Sequence, residues 1–233
     1  MRRGFIIFLV AIGQLLSFPV EAQTVVGIHG ILTNARSLLA VKNVLKNSGY
    51  DVYLWEYESR KACIQQHSAK LLPLLQKIAC CQPGEPIDFV THSTGALILR
   101  CALNSPDCPE EAKIGRVVML APPSQGTSLG HRFQNFGLAQ FILGEKSGYQ
   151  LLHYGPEEMA QYFGEMPSTT EVLVIAGTDG NSLFFKCPND GYLLVSETAL
   201  NVPFHWETVC ASHGRILTYS QALCLMRTFL LDQ

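Results

Sequence analysis

Short apolar runs and stretches of helical spacing alternate along this chain, and that rhythm limits its fold more than any other feature. Thr24 to Ile28 is a first apolar run, ending at His29-Gly30. Residues 35–47 (ARSLLAVKNVLKN) place apolar side chains at helical intervals and stop at Gly49. Residues 50–57 (YDVYLWEY) alternate and are rich in aromatic and β-branched types, as a strand is. A helix is expected over 62–80, a buried strand over 86–90 and a helix over 94–104, halted before Pro106. Strands at 116–121 (RVVMLA) and 171–177 (EVLVIAG) follow, with a last helix near 221–231. Alternation of this kind builds a mostly parallel sheet with crossover helices on both faces. Strands covered on both faces read as continuous apolar runs, as these do.

Residues 122–170 break the rhythm. They are long for a connection and hold the apolar stretch FQNFGLAQFIL without an evident strand partner. Long connections of this kind serve function or lie on the surface as plain insertions. We read this one as a cap or lid.

The chain has 233 residues, 48% hydrophobic and 15% charged, enough to bury one large core. Its net charge of −2, with no basic stripe, argues against a nucleic-acid partner. At the start, Arg2 and Arg3 precede an apolar stretch from Phe5 to Phe18, and Val20-Glu21-Ala22 offers small residues for cleavage. This is the pattern of an export signal over residues 1–22, leaving one domain over 23–233. The stretch is shorter than the ~20 residues of a membrane span, although an uncleaved signal would act as an anchor. Eight cysteines lie beyond it, and export permits disulfides among them. Cys63 and His67 have the spacing of a helical metal pair, but no second pair completes a site, so no metal is expected.

The chemistry centres on FVTHSTGAL, residues 89–97. A buried strand ends, Ser93 follows, and a helix begins at once. Ser93 is either an ordinary helix N-cap or a nucleophile on a tight turn. The nucleophile pattern is G-x-S-x-G, because small residues on either side let strand and helix approach. Gly95 keeps the second glycine and Thr91 replaces the first. A nucleophilic serine needs a base, and the base an orienting acid, in the chain order Ser, acid, His. Downstream lie His131, His153, His205 and His213. His131 and His153 fall in the insertion, and His205 (VPFHWETV) reads as a packed strand residue. His213 (CASHGRIL) lies in a small-residue loop before the last helix, where a base could reach the sheet edge. Two acids precede it, Asp179 at a strand end and Asp190 in PNDGYLL, and both also read as turn residues. Backbone donors for an oxyanion would come from Thr94 and from Ile31 in GIHGIL, while His29 and His92 read as packing residues.

Taken together, these segments resemble the α/β-hydrolase superfamily on its lipase and esterase side. VVGIHGILTNARS is similar to that family's HG oxyanion segment, and VTHSTGALILR to its nucleophile turn. VVMLAPPSQGTSLG resembles the segment after the sixth strand in small bacterial lipase-like hydrolases. NDGYLLVSETAL and ASHGRIL resemble their acid and histidine loops. The resemblance spans roughly residues 23–231. It implies Ser93 as nucleophile, Asp190 as acid, His213 as base, and Ile31 and Thr94 as oxyanion donors. It implies a serine esterase without cofactor, acting on small-molecule or lipid acyl esters; the N-terminal pattern adds export, and the apolar cluster of the lid adds a membrane-surface contact as an expectation. An acyltransferase with the same triad, or a binding protein on the same fold, are the alternatives. Since the acid and histidine loops must meet, Cys187 and Cys210, each three residues before its catalytic neighbour, are candidates for a disulfide, the alternative being two buried free thiols.

Overall fold

The computed structural model describes residues 22–180 and 184–232. The expected export signal lies outside the described residues, save Ala22. Six strands form one all-parallel sheet: β1 (Thr24–Ile28), β2 (Asp51–Trp55), β3 (Ile87–His92), β4 (Val117–Leu120), β5 (Val172–Gly177) and β6 (His205–Val209). Their spatial order is β2-β1-β3-β4-β5-β6, so β1 lies inside the sheet and the connections reverse direction after β2. Between them run α1 (Leu39–Asn47), α2 (Ile64–Cys81), α3 (Thr94–Leu103) and the short α4 (Glu110–Lys113). The final helix, which is α9 (Ser220–Leu231), returns along the sheet.

Helices cover both faces. On one face α2 and α3 pack Leu71, Leu75 and Leu97 against Val26, Phe89 and Met119. On the other, α1 and α9 pack Leu45 and Met226 against Val25, Val118 and Ile175. Each such side chain contributes about 1.5–3 kcal/mol when taken fully out of water. Every residue of β1, β3, β4 and β5 is buried, as the continuous apolar runs require. β6 departs from expectation. It pairs with β5 alone at the sheet edge, and His205 to Thr208 are exposed, so His205 is a surface residue rather than a packed one.

The interruption at 122–170 is helical. It holds α5 (Ser128–Phe133), α6 (Gly137–Leu143), a wide turn over Gly144–Gly148, α7 (Tyr149–His153) and α8 (Pro156–Phe163). A single buried side chain fastens both ends. Arg100 of α3 donates from Nη1 to Ser124 O (3.2 Å) and from Nε to Gly164 O (3.1 Å), with Glu165 3.5 Å from Nη2. A buried guanidinium persists only when its donors are matched, and here the insertion's own backbone supplies the acceptors. No helix among the described residues is long and apolar enough to cross a membrane.

Candidate active site

Strand β3 ends at His92, and the next residue carries the backbone out of the allowed region. Ser93 has φ 51° and ψ −124°. For a residue with a side chain this costs on the order of 1–3 kcal/mol, so neighbours must hold it. Ser93 N–H donates to Leu120 O (3.0 Å) at the end of β4, and its carbonyl accepts from Ala96 N–H (3.0 Å). The turn needs close approach. A Cβ on Gly95 would lie 2.5 Å from Ile28 O and 2.8 Å from His29 O, so only glycine fits there. Thr91, where the motif has its other glycine, is fully buried between Ile28 and Met119, and its hydroxyl has no partner.

Ser93 occupies the N-cap position of α3, yet its side chain makes no capping bond. Its Oγ lies 3.0 Å from His213 Nε2 instead. His213 Nδ1 lies 2.7 Å from Asp190 Oδ2. The other carboxylate oxygen of Asp190 accepts from Tyr192 N–H (2.9 Å) and Leu193 N–H (2.8 Å). Asp190 is buried and each of its oxygens has a donor, as a buried carboxylate requires. The backbone repeats the pairing, with His213 N–H donating to Asp190 O (2.9 Å). Gly177, at the end of β5, permits this approach. A Cβ there would meet Ala211 O at 2.4 Å and Asp190 Cβ at 2.9 Å.

Asp179, the competing acid, is exposed; its N–H donates to Ala211 O (3.2 Å), and His213 takes Asp190 as its carboxylate partner. The candidate disulfide between Cys187 and Cys210 is not formed. Both cysteines are exposed, and all eight cysteines are free. The two loops meet through Ala211, His213 and Asp190, and neither cysteine takes part in that contact.

The two expected oxyanion donors lie side by side. Thr94 is the first residue of α3, where the backbone N–H has no intrahelical acceptor. Ile31 N–H donates to Thr94 Oγ1 at 3.1 Å, so an incoming oxygen would take over a donor already engaged. His29 is fully buried and stacks on Tyr57 (ring centroids 4.2 Å), whose hydroxyl donates to His29 O (2.8 Å).

His92 has a part in the site that its sequence context did not signal. Burial, with His213 nearby, pushes its pKa down to about 3, so the ring is neutral. Nε2 lies 2.9 Å from His213 O, and a carbonyl only accepts, so Nε2 carries the proton. His92 thus fixes the backbone of the histidine loop, with the two imidazoles 4.9 Å apart. The Tyr192 ring borders His213 from another side at 5.3 Å.

Ser93 and His213 face a cavity of about 420 Å³. Its wall from the insertion is largely apolar, with Leu129, Phe133, Ala139, Leu143, Leu151 and Leu152 beside the polar Thr127. The exposed side of α6 is apolar too, with Leu138 70% and Phe141 74% exposed, and the preceding N-cap residue Phe136 is 61% exposed. Among the described residues no group of three or more His, Cys, Asp or Glu side chains could hold a metal ion.

A parallel sheet in this order, with a strained serine after its third strand and an acid and a histidine on the loops after its fifth and sixth, is the α/β-hydrolase fold. No family model matches the sequence, and no curated protein matches it. Solved structures do. The mature form of lipase BlEst2 from Bacillus licheniformis superposes with a TM-score of 0.71 at 17% identity, over 91% of this chain and 93% of that one. A metagenomic carboxyl esterase superposes with a TM-score of 0.63 at 19% identity, over 83% of this chain and 65% of that one. Lipase B from Aspergillus fumigatus does so with a TM-score of 0.67 at 13% identity, over 90% of this chain and 52% of that one. At such identities the likeness establishes the fold.

Proposed function

We propose that the protein is a serine hydrolase of carboxylic esters, with Ser93 as nucleophile, His213 as base and Asp190 as the acid that orients it. The observation that carries this reading is the hydrogen-bonded line from Ser93 Oγ through His213 to Asp190 Oδ2, at 3.0 and 2.7 Å, opening on an apolar cavity. Ser93 Oγ attacks the ester carbonyl while His213 Nε2 takes its proton. Asp190 accepts from Nδ1–H, which keeps Nε2 free to act as base and stabilises the imidazolium that forms. The N–H groups of Thr94 and Ile31 bind the developing oxyanion. His213 then returns the proton to the leaving alcohol, and water clears the acyl-enzyme by the same steps in reverse. None of these steps calls for a cofactor.

The cavity's apolar wall suits an acyl chain, and its volume is within the ordinary range for small-molecule sites. The exposed face of α6 would rest on a lipid surface presenting such esters. Export, with cleavage near Ala22, belongs to the same proposal and is supported by the sequence pattern alone. The test is turnover of p-nitrophenyl esters of graded chain length by parent and Ser93→Ala. The parent hydrolyses them, and the variant loses several orders of magnitude. Turnover by Ser93→Ala within tenfold of the parent would remove Ser93 from the mechanism.

A further inference from the structure

The backbone beside the expected oxyanion donors is strained at a residue to which the oxyanion segment assigns no role. Leu32 follows Ile31 and has φ 60°, a left-handed conformation that leucine rarely adopts. It persists only where its surroundings over-determine it. Leu32 is half exposed, so its own side chain does not clamp it. Its N–H does have a partner: it donates to Ser59 Oγ at 3.1 Å.

Ser59 lies in the loop between β2 and α2, and this loop grips the oxyanion segment at several points. Tyr57 OH donates to His29 O (2.8 Å), and Ala35 N–H donates to Glu56 Oε2 (2.9 Å). The same loop, with the first residue of α2, grips the insertion. Ser147 Oγ donates to Ser59 O (2.5 Å), the Arg60 guanidinium donates to Phe141 O, and Ile64 N–H donates to Gln150 Oε1 (2.8 Å). Gly144 comes so close that a Cβ on it would lie 3.0 Å from Arg60 O. Ser59 and Ser147 are both buried, so their bonds are shielded from competing water.

Ser59 is therefore held from one side through its carbonyl and holds the other side through its hydroxyl. We propose that Ser59 is a positioning residue for the reaction: it fixes the strained Leu32 turn, and with it the Ile31 N–H, according to how the insertion is seated. This rests on the esterase reading above. It adds that the insertion does more than wall the acyl cavity, because its contact at Ser147 helps set the geometry of the oxyanion donors. Ser59 does not touch the reacting atoms, and its effect is on the transition state rather than on substrate binding. Displacing a donor by about 1 Å costs on the order of a hundredfold in rate, and losing one outright costs about 10²–10³.

The experiment compares Ser59→Ala, Ser147→Ala and Ser93→Ala with the parent on p-nitrophenyl butyrate. Active sites are titrated with a fluorophosphonate, and a butylboronic acid serves as tetrahedral mimic. Ser59→Ala is expected to lower kcat per titrated site by tenfold or more, with KM changed less than about threefold. The boronate inhibition constant should rise in step with the loss of kcat. Ser147→Ala, which removes only the insertion side, is expected to lower kcat in the same sense by a smaller factor. A kcat per titrated site within twofold of the parent for Ser59→Ala would overturn the inference, even with a lowered Tm. Should that variant not fold, an unchanged kcat in Ser147→Ala overturns it instead. If Ser93→Ala retains activity, the esterase reading itself has failed, and the two failures are told apart.

Discussion

Replacing Asp190 by asparagine separates the two candidate acids and has a consequence that can be worked from the hydrogen bonds. Oδ1 accepts two backbone N–H groups, from Tyr192 and Leu193, while Oδ2 faces His213 Nδ1. An asparagine must leave its carbonyl oxygen toward the two N–H donors, because turning the amide would set NH₂ against both. Its NH₂ then faces His213 Nδ1 and donates to it. The imidazole proton moves to Nε2, the atom that lies 3.0 Å from Ser93 Oγ and must be bare to act as base. The wrong tautomer of this kind costs about 10⁴ in kcat, or roughly 5.4 kcal/mol at 1.36 kcal/mol per decade. The fold should survive, since both backbone donors keep an acceptor and the volume hardly changes. The assay is steady-state turnover of p-nitrophenyl butyrate, with circular dichroism and a thermal melt to confirm folding. Asp179→Asn, at an exposed side chain, should stay within about threefold of the parent, as surface substitutions away from a site do. A folded Asp190→Asn variant with less than a tenfold loss, or a larger loss in Asp179→Asn, would show that Asp190 does not set the histidine tautomer.

Other consequences follow from single side chains. Gly95→Ala puts a methyl 2.5 Å from Ile28 O; overpacking of this kind costs about 1–3 kcal/mol or more, read as a lowered Tm by calorimetry. Burial, with a backbone bond and the charge of Arg116 opposing it, pushes Asp88 up to about pKa 7, so the native state holds a proton that the unfolded chain releases near pH 4. Its contribution is present in full below that range and is lost as pH rises to about 7, so Asp88→Asn should flatten the decline in Tm between pH 4 and 7; an unchanged decline would count against it. Leu138→Ser with Phe141→Ser should weaken sedimentation with phosphatidylcholine vesicles by about tenfold or more while short-ester kcat is kept, given about 1.5–3 kcal/mol per buried side chain. Equal vesicle binding would detach α6 from any membrane role.

The fold was legible because each strand's burial is local information. The runs at 24–28, 86–90, 116–121 and 171–177 are apolar on both sides, Asp88 and the polar end residues apart, and form strands covered on both sides. β6 misled for the opposite reason. Edge position is set by which strand it pairs with, and nothing in VPFHWETV says that its neighbour lies on one side only. The serine turn was legible from Gly95, since close backbone approach leaves glycine as its mark. The choice of Asp190 over Asp179 was not legible from the residues alone, because aspartate before glycine is a turn signal at both sites; the motif resemblance favoured Asp190. Ser59 left no trace. Its bonds reach 27 residues back and 88 residues forward, and a serine in a loop carries no periodicity. The candidate disulfide failed because proximity of two loops fixes only the residues that face each other, and Cys187 and Cys210 face solvent.

The proposed function stands or falls with Ser93, activated by His213, as nucleophile. A fluorophosphonate reacts covalently with such a serine and not with an ordinary hydroxyl. Labelling of the parent protein, followed by peptide mapping, should give one adduct per chain on the peptide containing Ser93, and none in Ser93→Ala. No adduct on the folded parent, or an adduct that persists in Ser93→Ala, would contradict the account.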